Sequence, residues 1–79
     1  MIDEKKIRWM LRRGMKELDV VVTRYYEQRY SVAPDDERAA FVSLLTTMED
    51  PDIWAYLMGF NEPPAGLTHD LFEQLRRYR

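Results

Sequence analysis

The sequence predicts an all-α protein, a compact five-helix bundle that forms a single domain. The chain has 79 residues, of which 46% are apolar and none is cysteine, so one packed core has to stabilise it without disulfides. Glycine and proline divide the chain into five short pieces. Within each piece the apolar residues recur three and four positions apart, which is typical of amphipathic helices. We therefore expect residues 1–79 to form one domain.

The first helix is expected to follow Asp3 as its N-cap and to end at Arg12 and Arg13. Gly14 comes next, at the position where a residue in the left-handed conformation commonly ends a helix. The residues expected to face the core are spaced at i, i+3 and i+4: Ile7, Met10 and Leu11.

The second piece, residues 15–30, is compatible with two structures. Val20, Val21 and Val22 are β-branched and favour a strand. However, the piece is roughly three times as long as a typical strand of about 5–6 residues, and its apolar residues have helical spacing. A helix is therefore the preferred prediction, with an inward face of Leu18, Val21, Val22 and Tyr25.

Helix-start signals mark the third and fourth pieces. The third begins after Pro34 with three acidic residues, which suit the positive end of a helix dipole. The fourth begins with Asp50 as its N-cap and Pro51 at the first helical position, and it ends at Gly59. Their apolar stripes have helical spacing: Phe41, Leu44, Leu45 and Met48 in the third piece, and Ile53, Trp54, Leu57 and Met58 in the fourth.

The fifth piece is expected to begin with Thr68 as its N-cap. Leu67 before it and Phe72 at the fourth helical position have the spacing of a hydrophobic staple. Three arginines lie at the other end of this helix, where positive charge is favourable. The expected inward stripe is Leu71, Phe72, Leu75 and Tyr78.

The net charge of −2 conceals an uneven distribution. Residues 1–30 contain eight bases and five acids, whereas residues 31–70 contain one base and eight acids. Nucleic-acid binding needs several cations along one phosphate track, and an acidic chain with its bases confined to the ends does not offer this. A protein partner is favoured instead.

The sequence indicates neither a membrane-inserted nor a secreted protein. No apolar run approaches the roughly 18–20 residues that span a bilayer. The N-terminus has neither an apolar signal segment nor the composition of a transit peptide. We expect a cytoplasmic protein without direct membrane insertion.

Few residues are suited to catalysis or metal binding. His69 is the only imidazole, and one histidine makes neither a metal site nor a catalytic triad. The acidic clusters at 35–37 and 49–52 are explained by the preference of helix starts for negative charge. We therefore assign no catalytic residue and no metal ligand. Trp9 lies off the centre of the expected inward face, where a half-buried ring would serve as an interface anchor.

The stretch Arg12-Arg13-Gly14-Met15-Lys16-Glu17-Leu18-Asp19 carries five charged groups in eight residues. Its structural interpretation is a helix end followed by the first turn of the next helix, with Glu17 and Asp19 at the favourable end of the dipole. Its functional interpretation is a contact with another protein. Gly14 would then allow close approach of a partner's chain, and Arg13 and Glu17 would project from one edge of the junction.

This stretch resembles the signature of the succinate dehydrogenase assembly factors, which promote covalent attachment of FAD to the flavoprotein subunit. The core of that signature is Arg-Gly-x-x-Glu, here Arg13, Gly14 and Glu17. The likeness covers nearly the whole chain and fades beyond Pro63. The sequence shows no mitochondrial presequence of the kind that eukaryotic members carry, so we expect it to resemble the bacterial, cytosolic members. Further segments that resemble the family are Ile7-Arg8-Trp9, Asp35-Asp36-Glu37 and Asp50-Pro51-Asp52.

The resemblance implies a five-helix bundle that is an assembly factor and not an enzyme. In the family, a histidine of the flavoprotein forms the bond to FAD, while the small factor binds the flavoprotein and holds its FAD-containing domain. The factor would have no cofactor of its own, and the flavoprotein of fumarate reductase is a second candidate target. The resemblance places partner-binding residues at Arg13, Gly14 and Glu17, with Trp9, Arg12 and Asp19 adjoining.

A different class of function stays open at this point. The chain would then be a regulatory protein-binding module, such as the antitoxin of a toxin–antitoxin pair. Its acidic belt, residues 35–52, would face a basic target. An enzymatic function ranks third, because the sequence has no nucleophile–base pair, metal cluster or glycine-rich phosphate loop. The two binding hypotheses differ in which surface should be sensitive to substitution.

Overall fold

The computed structural model describes residues 4–79, which contain five α-helices, two 3₁₀ turns and no strand. The prediction of an all-α five-helix bundle is confirmed. The predicted N-cap at Asp3 lies outside the described residues. The helices are α1 (Glu4–Met10), α2 (Lys16–Gln28), α3 (Asp35–Thr47), α4 (Asp50–Met58) and α5 (Leu67–Leu75), and the 3₁₀ turns are Tyr30–Val32 and Arg76–Tyr78.

All five helices contribute to one core. Helix α5 packs against α2, α3 and α4, while α1 packs against α3. Each fully buried leucine, isoleucine or phenylalanine contributes about 1.5–3 kcal/mol to folding. The predicted apolar stripes supply most of the core, whose buried residues within the helices are Ile7, Leu18, Val21, Val22, Tyr25, Phe41, Leu44, Leu45, Ile53, Leu57, Leu71, Phe72 and Leu75.

Residues 16–28 are helical, so the strand alternative for the second piece is wrong. The neighbours Val21 and Val22 are both buried. In a strand, successive side chains point to opposite faces, and one valine of the pair would have faced away from the core. The helical spacing allows both to be buried together with Leu18 and Tyr25.

Helices α1 and α4 differ from the prediction at their starts or ends. Helix α1 ends at Met10, earlier than expected, and Gly14 is not in the left-handed region. The side chain of Arg13 donates to the Met10 carbonyl, so a side chain caps this helix where a glycine was expected. Asp50 is the first residue of α4 rather than its N-cap, while Gly59 ends α4 with a φ of 83°, as predicted.

The predicted start of α5 is wrong by two residues, because the N-cap is Gly66 and not Thr68. The helix begins at Leu67, and Gly66 before it has a φ of 100°, which glycine adopts readily. Thr68 therefore lies inside the first turn and is not the N-cap. Leu67 is 51% exposed and is the first helical residue, so it does not occupy the position before the N-cap that the predicted hydrophobic staple requires.

A polar cluster of three side chains connects the end of α2 to the start of α3. Arg29 binds both carboxylate oxygens of Glu37, from Nε at 2.7 Å and Nη2 at 2.9 Å, and the Tyr25 hydroxyl donates to the same carboxylate at 2.5 Å. The hydrogen bonds from Arg29 lower the pKa of Glu37, against the opposing effect of burial. Burial and then the bond to Glu37 raise the pKa of Tyr25.

We expect Tyr25→Phe to lower the free energy of unfolding by about 1–2 kcal/mol, because it removes a buried hydrogen bond to a charged group while keeping the ring. Urea unfolding followed by circular dichroism measures this change. The matched control is the same substitution in a Glu37→Gln background, where the loss should be smaller because the acceptor is no longer charged. Equal losses in the two backgrounds would contradict the role given to the Tyr25 hydroxyl.

Candidate partner-binding site

The candidate site is the corner at which α1 leads into α2. We call it the docking corner and define it as Trp9, Arg12, Gly14 and Glu17. Trp9 lies in the last turn of α1, Arg12 and Gly14 lie in the connection, and Glu17 lies in the first turn of α2. All four are exposed. The Trp9 ring is 74% exposed, more than the half-buried position we expected.

Arg13 does not project from this corner. Its side chain is only 11% exposed, and Nε donates to Asp50 Oδ1 at 2.8 Å. Nη1 donates to the carbonyls of Met10 and Leu45, and Nη2 donates to that of Met48. These carbonyls are at or beside the ends of α1 and α3, where the last turns lack partners within their own helices. The expectation that Arg13 and Glu17 project together is therefore wrong.

Asp50 completes the arrangement from the opposite side of the connection. Its second oxygen, Oδ2, accepts hydrogen bonds from the backbone N–H groups of Gly14 at 2.9 Å and Met15 at 3.3 Å. Met15 is the N-cap of α2 and provides no side-chain cap. A carboxylate from the start of α4 therefore satisfies backbone donors at the start of α2.

The environment of Asp50 stabilises its charged form. Burial raises the pKa of Asp50, but the hydrogen bonds from Arg13, Met15 and Gly14 together outweigh burial, so the pKa lies below its ordinary value. The side chain is 18% exposed. Asp50 and Arg13 therefore form a largely buried ion pair whose oxygens and nitrogens are also bound to the backbone.

Sequence reasoning missed the role of Asp50 in this corner. It assigned Asp50 to capping its own helix, which is the usual role of an aspartate before a proline. One signal was available, because α2 starts at Met15-Lys16 without a Ser, Thr, Asp or Asn to cap it. A helix start without a local cap needs an acceptor from elsewhere in the fold.

Gly14 has no structural requirement for glycine within this fold. Its φ lies outside the left-handed region, and a Cβ built on it would meet only Asp50 Oδ2, at the ordinary contact distance of 3.5 Å. The residue is exposed. What glycine provides here is bare backbone at the surface, which allows another chain to approach closely.

The two acidic candidates of α2 differ in exposure. Glu17 is exposed in the first turn of α2, where its charge also favours the helix dipole. Asp19 is half-buried, so it adjoins the docking corner without being fully presented. Outside the corner, the ring nitrogens of His69 lie 3.9–4.0 Å from carboxylate oxygens of Glu62, Asp70 and Glu73. Surface ion pairs of this kind contribute little to stability.

Within residues 4–79, no helix combines the length and hydropathy needed to cross a membrane. The same residues contain no group of three or more histidine and carboxylate side chains arranged to hold a metal ion.

Comparison with known proteins gives one consistent result. A family model described as "Flavinator of succinate dehydrogenase" matches residues 5–79. The chain is 36% identical to the FAD assembly factor SdhE of Acinetobacter baylyi over 77 residues, which cover 98% of this chain and 89% of the relative. Proteins of the same name from Pectobacterium atrosepticum and Photobacterium profundum are 42% and 44% identical, over 82% and 80% of this chain and 74% of each relative.

We expect Asp50→Asn to lower the free energy of unfolding at pH 7 by about 1.5–3 kcal/mol, because asparagine cannot make the charge-assisted bond to Arg13. Folding lowers the pKa of Asp50 from 3.8. Its contribution is therefore complete above that value and is lost as the pH falls through the lowered pKa. The difference between wild type and variant should shrink below about pH 4.

Urea unfolding at a series of pH values measures this difference. Glu49→Gln is the control, since it removes the carboxylate of an exposed neighbouring residue and should leave a curve close to that of the wild type. A stability difference for Asp50→Asn that does not change with pH would contradict the interpretation.

Proposed function

Because the chain belongs to the family of succinate dehydrogenase flavinators, we propose that it binds the flavoprotein subunit of succinate dehydrogenase and promotes covalent attachment of FAD. The bond to the flavin would form on a histidine of that subunit. The flavoprotein of fumarate reductase is a second candidate target of the same surface. The chain acts as an assembly factor and contributes no reacting group.

The observation that carries this proposal is the exposed backbone of Gly14. A glycine that the fold itself does not require, with Glu17 and Arg12 exposed beside it, has the properties of a surface kept open for another chain. Trp9 adds a large exposed ring, and tryptophan and arginine are enriched among the residues that dominate interface energies. The docking corner therefore combines an apolar anchor, both signs of charge and accessible backbone.

Arg13 contributes to this surface without lying on it. Four of its hydrogen bonds are made inside the protein, so its guanidinium has little capacity left for a partner. The proposed contact set is therefore Trp9, Arg12, Gly14 and Glu17, with Asp19 at its edge.

The docking corner would promote the reaction by restricting motion in the partner. A covalent bond between a histidine and a flavin forms faster when the two are held in register, since the cost of orienting them is met before the reaction. A protein that binds only the competent arrangement of the flavin-containing domain raises the population of that arrangement. The exposed groups of the docking corner are suited to such binding, and none of them needs to touch the flavin.

The acidic belt is less suited to a basic target than the sequence indicated. Glu37 is bound by Arg29 and Tyr25, and Asp50 is bound by Arg13. Asp35 forms an ion pair with Arg38. Several carboxylates of the belt are therefore committed to bonds within the protein, which weighs against the regulatory alternative.

We expect Glu17→Gln and Gly14→Arg each to lower covalent flavin on the succinate dehydrogenase flavoprotein by more than about tenfold, since both alter groups at the centre of the contact. Both variants should remain folded, because Glu17 is exposed and a side chain at Gly14 meets no backbone. In-gel flavin fluorescence of the flavoprotein, in a strain that lacks this gene and carries each variant, measures the effect.

The matched control is Glu27→Gln, which makes the same change at another exposed position of α2 and should leave flavinylation unchanged. The double charge reversal Asp35→Lys with Asp36→Lys tests the acidic belt. Normal flavin levels in both corner variants, together with a loss in the double variant, would transfer the function to the belt.

A further inference from the structure

We infer that Asp50 is a positioning residue of the docking corner, and that Arg13 acts with it as an internal support and not as a contact of the partner. This inference rests on the proposed function and names two residues that set the geometry of its binding surface. The Arg13–Asp50 pair binds backbone groups at the end of α1, at the end of α3 and at the start of α2.

The contacts of the pair explain how it holds the corner. The guanidinium binds the carbonyl of Met10 and the carbonyls of Leu45 and Met48. One carboxylate oxygen of Asp50 is occupied by Arg13, and the other receives two consecutive backbone donors, from Gly14 and Met15. Two N–H groups bound to one oxygen fix the orientation of the peptide between them.

The peptide between Gly14 and Met15 connects Trp9, Arg12 and Gly14 on one side of the docking corner to Glu17 on the other. It fixes the direction in which Gly14 presents its backbone, and it begins the turn that carries Glu17. Without the carboxylate, the N–H groups of Gly14 and Met15 lose their acceptor and the first turn of α2 loses its only cap among the bonds described. The corner would then sample several conformations, of which one fits the partner.

The expected effect on binding follows from that population. If only a tenth of the molecules have the competent corner, the apparent dissociation constant rises about tenfold. A contact residue behaves differently, since its removal weakens binding even when the corner is fully formed. Arg13→Lys separates the two roles. Lysine keeps the positive charge, but its single ammonium lacks the planar fork that reaches Asp50 and three carbonyls together.

The test measures the affinity of the isolated, folded protein for the succinate dehydrogenase flavoprotein subunit by titration calorimetry. We expect Asp50→Asn and Arg13→Lys each to weaken binding by about tenfold or more. The double variant should bind about as weakly as either single variant, because both changes break the same pair. Fully additive losses would show that Arg13 contacts the partner independently, and would overturn the inference.

A variant matched in stability excludes a general effect of destabilisation. Val22→Ala removes apolar contacts from the buried face of α2 and leaves the groups of the corner unchanged. It should bind within about twofold of the wild type under conditions where all variants are folded. If Val22→Ala weakens binding as much as Asp50→Asn, the role of Asp50 is one of stability alone and the inference is overturned.

A measurement on the wild type keeps the inference testable if a variant does not fold. The Arg13 Nε–H signal in a proton–nitrogen spectrum should be protected from exchange and should keep its shift when the flavoprotein is added. A large change of that signal on binding would mean that Arg13 turns towards the partner, which overturns the inference while leaving the proposed function intact. No binding by the wild type would overturn both.

Discussion

The ion pair between Arg13 and Asp50 is the interaction on which the rest of the structure depends. It joins the end of α1, the end of α3, the start of α2 and the first residue of α4. Helices of this length leave a large share of their backbone groups without intrahelical partners, and the N-cap residues of α2, α3, α4 and α5 make no side-chain cap of their own. One buried pair supplies acceptors and donors that would otherwise have to come from several separate caps. Loss of the pair would therefore leave several backbone groups without partners. It would also leave an uncompensated buried charge, which is costly in a chain with a small core.

The Arg-Gly-x-x-Glu stretch divides into a supporting part and a presenting part. Arg13 faces inward and orders the connection, while Gly14 and Glu17 face outward. The division has an energetic advantage for binding. A surface that is already ordered in the free protein avoids the loss of side-chain and loop freedom that a mobile one would incur on binding. The corner is a short exposed segment whose connection is bound by the largely buried Arg13–Asp50 pair.

Helical periodicity was sufficient to predict the five helices and nearly all of the core, because the residues on the buried face of a helix recur three and four positions apart in the sequence. The ends of the helices were harder to predict. Arg13 binds groups that lie 32 to 37 residues away along the chain, and Asp50 binds backbone donors 35 and 36 residues away. No local pattern contains such contacts. For the same reason, the exposed members of the docking corner could be named from the sequence, but the orientation of Arg13 and the role of Asp50 could not.

The uneven charge along the chain is explained in part by ion pairs inside the fold, whereas the sequence alone was interpreted as favouring a protein partner. The bases of residues 1–30 and the acids of residues 31–70 meet inside the protein, as Arg13 with Asp50 and as Arg29 with Glu37. Both pairs connect the first two helices to the next two, and both hold the pKa of the carboxyl group below its ordinary value. A charge asymmetry along a sequence can therefore reflect pairing between halves of one fold as well as attraction to a partner. The two most buried carboxylates of the acidic belt are therefore occupied by internal pairs and are not available to a partner. At the docking corner, by contrast, Arg12 and Glu17 are exposed. Charge, an exposed ring and exposed glycine backbone occur together at this corner.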